Sequence, residues 1–166
     1  MILYVLRHGT AEDRSESVDD ADRKLTQKGK DRIRDAAAGI RDFGLKFEVI
    51  LTSPIVRAAE TADIVAAAFN NNPSPQVLPA LATGVPPADV VATLKPYSRN
   101  TDVMIVGHEP QLSAVVSLLL TGSGDLAHLR LKQGGCVALD LGNKFDRGGA
   151  QLRWMLTQRQ LRKMRK

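Results

Sequence analysis

The chain predicts an α/β fold: a single three-layer α/β/α domain with a mostly parallel central sheet. Two observations lead there. Short, unbroken apolar runs alternate with amphipathic helical stripes over nearly the whole length, as in chains that wind strand, helix, strand. The runs are apolar throughout and not every second residue, which is how a parallel strand buried on both faces reads. With 166 residues, no internal repeat and no linker-like stretch, the chain fits one domain. We assign residues 1–158 to it and set residues 159–166 apart as a basic C-terminal tail.

Ile2-Leu3-Tyr4-Val5-Leu6 is the first predicted strand. Thr10–Lys24 carries six acids and three bases without periodicity and reads as a long surface loop, a length that in compact domains is often functional. Thr26 is placed to cap a helix whose apolar face is Ile33, Ala36, Ala37, Ile40 and Phe43, with Gly44 as its stop. Val49–Thr52 is a second strand. Ser53-Pro54 follows as a cap-then-proline helix start, with a stripe of Ile55, Ala58, Ala62, Val65, Ala66 and Phe69. Gln76–Leu81 reads as a third strand, Pro87–Leu94 as a short helix and Val103–Val106 as a fourth strand. A helix through Leu112, Val115, Val116 and Leu119 ends near Gly122. Cys136–Leu141 and Gln151–Thr157 are the last strands, separated by the turn-rich Gly142–Gly149, and the basic tail extends into a final helix.

In parallel sheets, ligands bind beyond the carboxyl ends of the strands. Three of those ends carry chemistry: Arg7-His8-Gly9, Ser53-Pro54-Ile55-Val56-Arg57 and Gly107-His108. Two of only three histidines fall at equivalent strand ends, beside two arginines. Arg57 is locally unfavourable, because a cation in the first turn of a helix opposes the helix dipole. An acid such as Glu60, solvent exposure or a bound anion would offset this, and the neighbouring Arg7 and histidines favour the anion. Guanidinium groups grip phosphoryl oxygens bidentately, and phosphoryl transfer needs mainly positioning and charge stabilisation. A neutral imidazole attacks phosphorus in line when its other nitrogen is held by a hydrogen bond. Gly9 suits this place, since without a Cβ its backbone can approach both ring and ligand.

Arg7-His8-Gly9 after the first strand, Ser53-Pro54 with Arg57-Ala58 and Thr61-Ala62, and Gly107-His108 together resemble the three motifs of the histidine phosphatase superfamily, which includes phosphoglycerate mutases and acid phosphatases. The resemblance implies a phosphoglycerate mutase-like fold. It also implies that His8 is phosphorylated during turnover and that Arg7, Arg57 and His108 bind the phosphate, with Gly9 beside them. Within the superfamily, Arg23-Lys24-Leu25-Thr26 with Gly29, and Gly107-His108-Glu109-Pro110, look most like SixA-type phosphohistidine phosphatases, which act in signal transduction. The expected substrate is therefore a phosphorylated protein, such as a histidine-containing phosphotransfer domain. A small phosphorylated molecule is the alternative.

Glu109 is the first candidate for the general acid, with helix capping as its competing role; Glu12 and Asp13 are weaker alternatives. No cofactor and no metal are expected: no H-E-x-x-H pattern, cysteine pair or G-x-x-x-x-G-K-[ST] loop is present. Ser53 lacks a G-x-S-x-G elbow and reads as a helix cap. Cys136 reads as buried filler, and His128 as structural or surface. The net charge of +5 is matched by five bases in the last eight residues, leaving 18 bases against 18 acids elsewhere. A neutral body with a basic helix end, and only seven aromatic residues, argues against a nucleic-acid face. No apolar run is long enough to span a bilayer, no signal-peptide pattern is present and the single cysteine fits a reducing compartment, so a cytoplasmic enzyme with no membrane partner is expected.

Overall fold

The computed structural model describes residues 1–97, 101–142 and 147–166. Six strands form one sheet: β1 (Ile2–Arg7), β2 (Val49–Thr52), β3 (Gln76–Val77), β4 (Val103–Gly107), β5 (Cys136–Asp140) and β6 (Gln151–Leu156), in the order β3-β2-β4-β1-β5-β6. The β3-β2, β2-β4 and β4-β1 pairs are parallel, and β5 runs antiparallel between β1 and β6. The sheet is thus mixed, with its parallel portion carrying the crossover helices α1 (Gln27–Asp42), α2 (Val56–Ala66), α3 (Pro87–Leu94) and α4 (Gln111–Thr121); α5 (Gln158–Lys163) closes the chain.

Strand alternation explains why the central runs are apolar at every position. Tyr4 and Leu6 face a core built with Ile33, Ile40, Ala62 and Val65 from α1 and α2. Leu3 and Val5 face the opposite core, built with Val90, Leu94, Leu112 and Val115 from α3 and α4. The expected three layers follow directly. Thr26 caps α1 by accepting from the Gly29 amide at 2.9 Å, and α1 stops where Gly44 takes φ +87°. Among the described residues, no helix is long and apolar enough to cross a membrane.

Three expectations are corrected. The third strand ends at Val77, because Pro79, which has no amide hydrogen for a ladder, opens a 3-10 turn over Pro79–Leu81. Ser53 does not cap α2: the helix starts two residues later than the cap-then-proline signal implied, with Ile55 at its N-cap and no side-chain cap bond. The boundary after residue 158 falls inside α5, so the last residues belong to the domain. Thr157 forms a capping box with Gln160, Leu161 is buried in the α1/α2 core, and Arg162 and Arg165 pair with Asp35 at 3.4 and 2.7 Å. The helices approach so closely that any Cβ at Gly39 would run into the Leu161 carbonyl oxygen. The turn expected at Gly142–Gly149 lies partly outside the described residues.

Leu161→Ala is accordingly expected to lower stability by about 2–5 kcal/mol, as for other buried leucines. Urea-unfolding midpoints at unchanged slope would measure it; a detached tail would give no change.

Candidate active site

Parallel register delivers the three motifs to one sheet edge. β4 lies between β2 and β1, with Arg7 opposite Gly107 and Thr52 opposite Val106. The pairing runs on past the strands: the His8 amide donates to the Gly107 carbonyl at 3.1 Å, and the Ser53 amide to the Val106 carbonyl at 2.9 Å. His8 and His108 therefore emerge side by side, with ring centroids 5.0 Å apart. Both are buried, at 6% and 3% exposure.

The His8 ring is held in one tautomer. Its Nδ1 lies 2.7 Å from the Gly9 carbonyl, which can only accept, so Nδ1 carries the proton and Nε2 presents its lone pair. Arg57 Nε donates to that Nε2 at 3.4 Å. Burial pushes the His8 pKa down to about 4, with Arg57, Arg7 and Arg23 adding to the fall and the Gly9 bond opposing it. The ring is neutral at physiological pH. Gly9 contributes its carbonyl; its amide, the group that would meet a ligand, already donates to Thr61 Oγ1 at 3.1 Å. Its missing side chain answers to packing, since a Cβ would lie 2.6 Å from Ile33 Cγ1 of α1. Thr61 Oγ1 in turn donates to the Arg57 carbonyl at 2.7 Å, joining the first turns of α2 to the His8-Gly9 backbone.

His108 is fixed from the other side. Its Nε2 lies 2.9 Å from Ser53 Oγ, which also accepts from the Ile55 amide at 3.2 Å. The serine keeps its proton and a second lone pair, so this bond forms with either tautomer of His108, whose Nδ1 is buried with no partner among the described residues. Burial, then the neighbouring His8 and Arg57, lower the His108 pKa to about 3. Arg7 donates from Nη1 to the Leu131 carbonyl at 2.8 Å, while its buried Nε has no partner among the described residues. Glu109 is half-buried, and burial raises its pKa against the pull of Ser113, Arg7 and Arg130. Its Oε1 is also buried without a partner. Behind it, Gln111 Nε2 donates to the carbonyls of Ala80, Ala82 and Val85 and pins the segment that brings Thr83 to the site.

These groups line an open cleft of about 310 Å³ that includes Arg7, His8, Arg57, His108 and Glu109. A larger concavity, about 500 Å³, runs along α5 between basic side chains and Asp35, but it holds no nucleophile. Sequence reasoning missed Asp20. Arg57 does not pair with Glu60, which instead binds Lys30 at 2.7 Å and the Leu25 amide. The Arg57 fork takes the Asp20 carboxylate at 3.0 Å through Nη2 and the Asp20 carbonyl at 2.6 Å through Nη1. Burial alone would raise the Asp20 pKa; the bonds and charges of Arg23 and Arg57 outweigh it and hold the carboxyl below its ordinary value. The acid count of the Thr10–Lys24 loop was the available signal, without a means of choosing among six carboxylates. Glu12 and Asp13 are exposed and do not line the cleft, His128 is exposed, and Cys136 is buried with its thiol pKa pushed far up by burial.

The histidine phosphatase superfamily (branch 1) family model matches residues 3–82, which include the first two motifs. An uncharacterized protein of a Picosynechococcus species is 40% identical over 144 residues, 86% of each chain. Phosphohistidine phosphatase SixA of Escherichia coli is 29% identical over 124 residues, 74% of this chain and 76% of its own. The chain belongs to the histidine phosphatase superfamily. A solved structure of the protein histidine phosphatase SixA complexed with tungstate has the same fold, with TM-score 0.85 and 24% identity, covering 97% of this chain and 99% of that one. Members with other named substrates share the architecture. The alpha-ribazole phosphatase of Shigella flexneri has TM-score 0.76 and 18% identity over 95% of this chain and 97% of its own.

Two neutral buried histidines make stability acid-sensitive. Their folded-state pKa values lie below the ordinary 6.5, so the unfolded chain binds more protons as pH falls. Their contribution is fully present above about pH 7 and is lost on descending toward pH 4, with a slope approaching ~2.7 kcal/mol per pH unit for two rings. Urea midpoints across that range in a non-phosphate buffer would show it. His8→Asn should roughly halve the slope.

Proposed function

We propose that this enzyme is a phosphatase that forms a covalent phosphohistidine intermediate on His8 and hydrolyses it without a metal. One observation carries the reading: a neutral imidazole with its Nδ1 proton fixed on Gly9 presents an unprotonated Nε2, held only by a long 3.4 Å bond from Arg57 Nε, beside His108. A phosphoryl group set against Nε2 would supply an acceptor for the Arg7 Nε hydrogen, and for His108 in its Nδ1–H tautomer, neither of which has one among the described residues. In the first step Nε2 forms the N–P bond and the bond to the leaving group breaks. That group departs with the bonding electrons and takes a proton from Glu109, whose raised pKa suits a donor. In the second step, water attacks phosphorus, Glu109 accepts a proton from it, the N–P bond breaks, and inorganic phosphate and neutral His8 are released. Arg7 and Arg57 stabilise the equatorial oxygens in both steps.

Protein-borne phosphohistidine is the proposed substrate. The likeness to the E. coli phosphohistidine phosphatase supports it. A small phosphomonoester is the second reading, favoured by the named substrates of other proteins with this fold. A cytoplasmic enzyme in signal transduction would fit the first.

His8→Ala is expected to lower hydrolysis of p-nitrophenyl phosphate by about 10³-fold or more. Substrate labelling should yield an acid-labile, base-stable phosphoenzyme, absent from the variant; an acid-stable adduct would point to a serine. Glu109→Gln should slow alkyl phosphates, whose leaving groups need a proton, by roughly 10²-fold, and labile phosphohistidine far less. Comparing a phosphorylated histidine-containing transfer protein with a panel of phosphometabolites by kcat/KM would decide between the two substrate classes.

A further inference from the structure

Arg57, the arginine beside the nucleophile, has each of its three nitrogens on an acceptor within the protein, three of its five N–H hydrogens. Nε is on His8, Nη1 on the Asp20 carbonyl and Nη2 on Asp20 Oδ2. A phosphoryl group has Nη2 free of a competing anion only when Asp20 Oδ2 lets go. The carboxylate is built to do so. Its other oxygen, Oδ1, is held by Arg23 through Nε at 3.1 Å and Nη2 at 2.8 Å, and by Arg14 Nε at 3.2 Å. One oxygen anchors Asp20 to its own loop, and the other reaches across to α2. The Asp20 side chain is 41% exposed, whereas that of Arg57 is 6% exposed, so the acid can swing toward solvent while the arginine stays in place. The loop is further fastened by Arg23 Nη1 on the Glu12 carbonyl and by Asp19, whose side chain caps the turn at Ala21.

We propose that Asp20 is an internal competitor for the phosphoryl-binding position. Its Oδ2 keeps Arg57 aimed in the free enzyme, yields it to substrate phosphate, and returns to help displace inorganic phosphate. A carboxylate oxygen and a phosphoryl oxygen make the same kind of charge-assisted bond to a guanidinium, so one substitutes for the other with little rearrangement. The competition weakens ground-state phosphate binding and so limits product inhibition. This inference rests on the phosphatase reading of the site.

The test is calorimetric titration of inorganic phosphate into the full chain, paired with phosphate inhibition of p-nitrophenyl phosphate hydrolysis. Asp20→Asn keeps the shape and an acceptor for Arg23 but loses the charge, and should tighten phosphate binding and lower its inhibition constant by about tenfold. Asp20→Glu, which keeps the charge, should stay closer to the parent. Asp19→Asn, which removes a neighbouring charge that touches no arginine of the site, should leave phosphate affinity unchanged. Equal or weaker phosphate binding in a folded Asp20→Asn protein would overturn the inference and leave the phosphatase reading standing. A fall in kcat without tighter phosphate binding would also overturn it, by assigning Asp20 to proton transfer. No phosphate binding to any of the proteins would overturn both.

Discussion

The parallel pairing of β1 with β4, and of β4 with β2, sets every distance in the candidate site. Because β4 is shared, the residue after each strand lands beside the residue after its neighbour: His8 against His108, and His108 against Ser53. Burial on both faces locks that register. A one-residue slip of β1 would send Tyr4 and Leu6 to the layer of Leu3 and Val5, exchanging two different cores, and would carry His8 about 3.3 Å along the strand. The apolar runs that stabilise the sheet are also what aim His8.

The site works against the fold's stability. Arg57 is a buried cation in the first turn of a helix, two histidines are held neutral, and polar atoms of Arg7, His108 and Glu109 are buried without partners. Each of these costs free energy in the unliganded protein. The loop around Asp20 offsets part of the cost by giving Arg57 a carboxylate, and Thr61 and Ser53 satisfy backbone and ring groups that would otherwise be stranded. In the proposed reading, a tetrahedral oxyanion would supply an acceptor for the stranded Arg7 Nε hydrogen and so recover part of that cost.

Alternatives weighed from sequence separate cleanly in three dimensions. Glu109 sits in the cleft with a raised pKa, while Glu12 and Asp13 remain in solvent. Ser53 does not cap α2; it holds the second histidine through a hydrogen bond to Nε2. The basic C-terminal residues are docked by Leu161 and Asp35 and sit away from the catalytic cleft.

What the sequence by itself determined was the layered fold and the meeting of His8, Arg7, Arg57 and His108 in one cleft at the strand ends. These follow from local quantities: unbroken apolar runs, cap residues, and motifs that sit immediately after strands. Where local signals competed, the reading missed, as at Pro79, which ended a strand early, and at Ser53-Pro54, where the helix began later than its cap signal. Tertiary structure alone decided which acid meets Arg57, what Ser53 and Thr61 do, and that α5 belongs to the core. Those contacts join residues such as Asp20 with Arg57, Ser53 with His108 and Asp35 with Arg165, separated by long stretches of chain. No periodicity or capping rule encodes such a pairing, because it is fixed only when packed layers bring the partners within hydrogen-bond range.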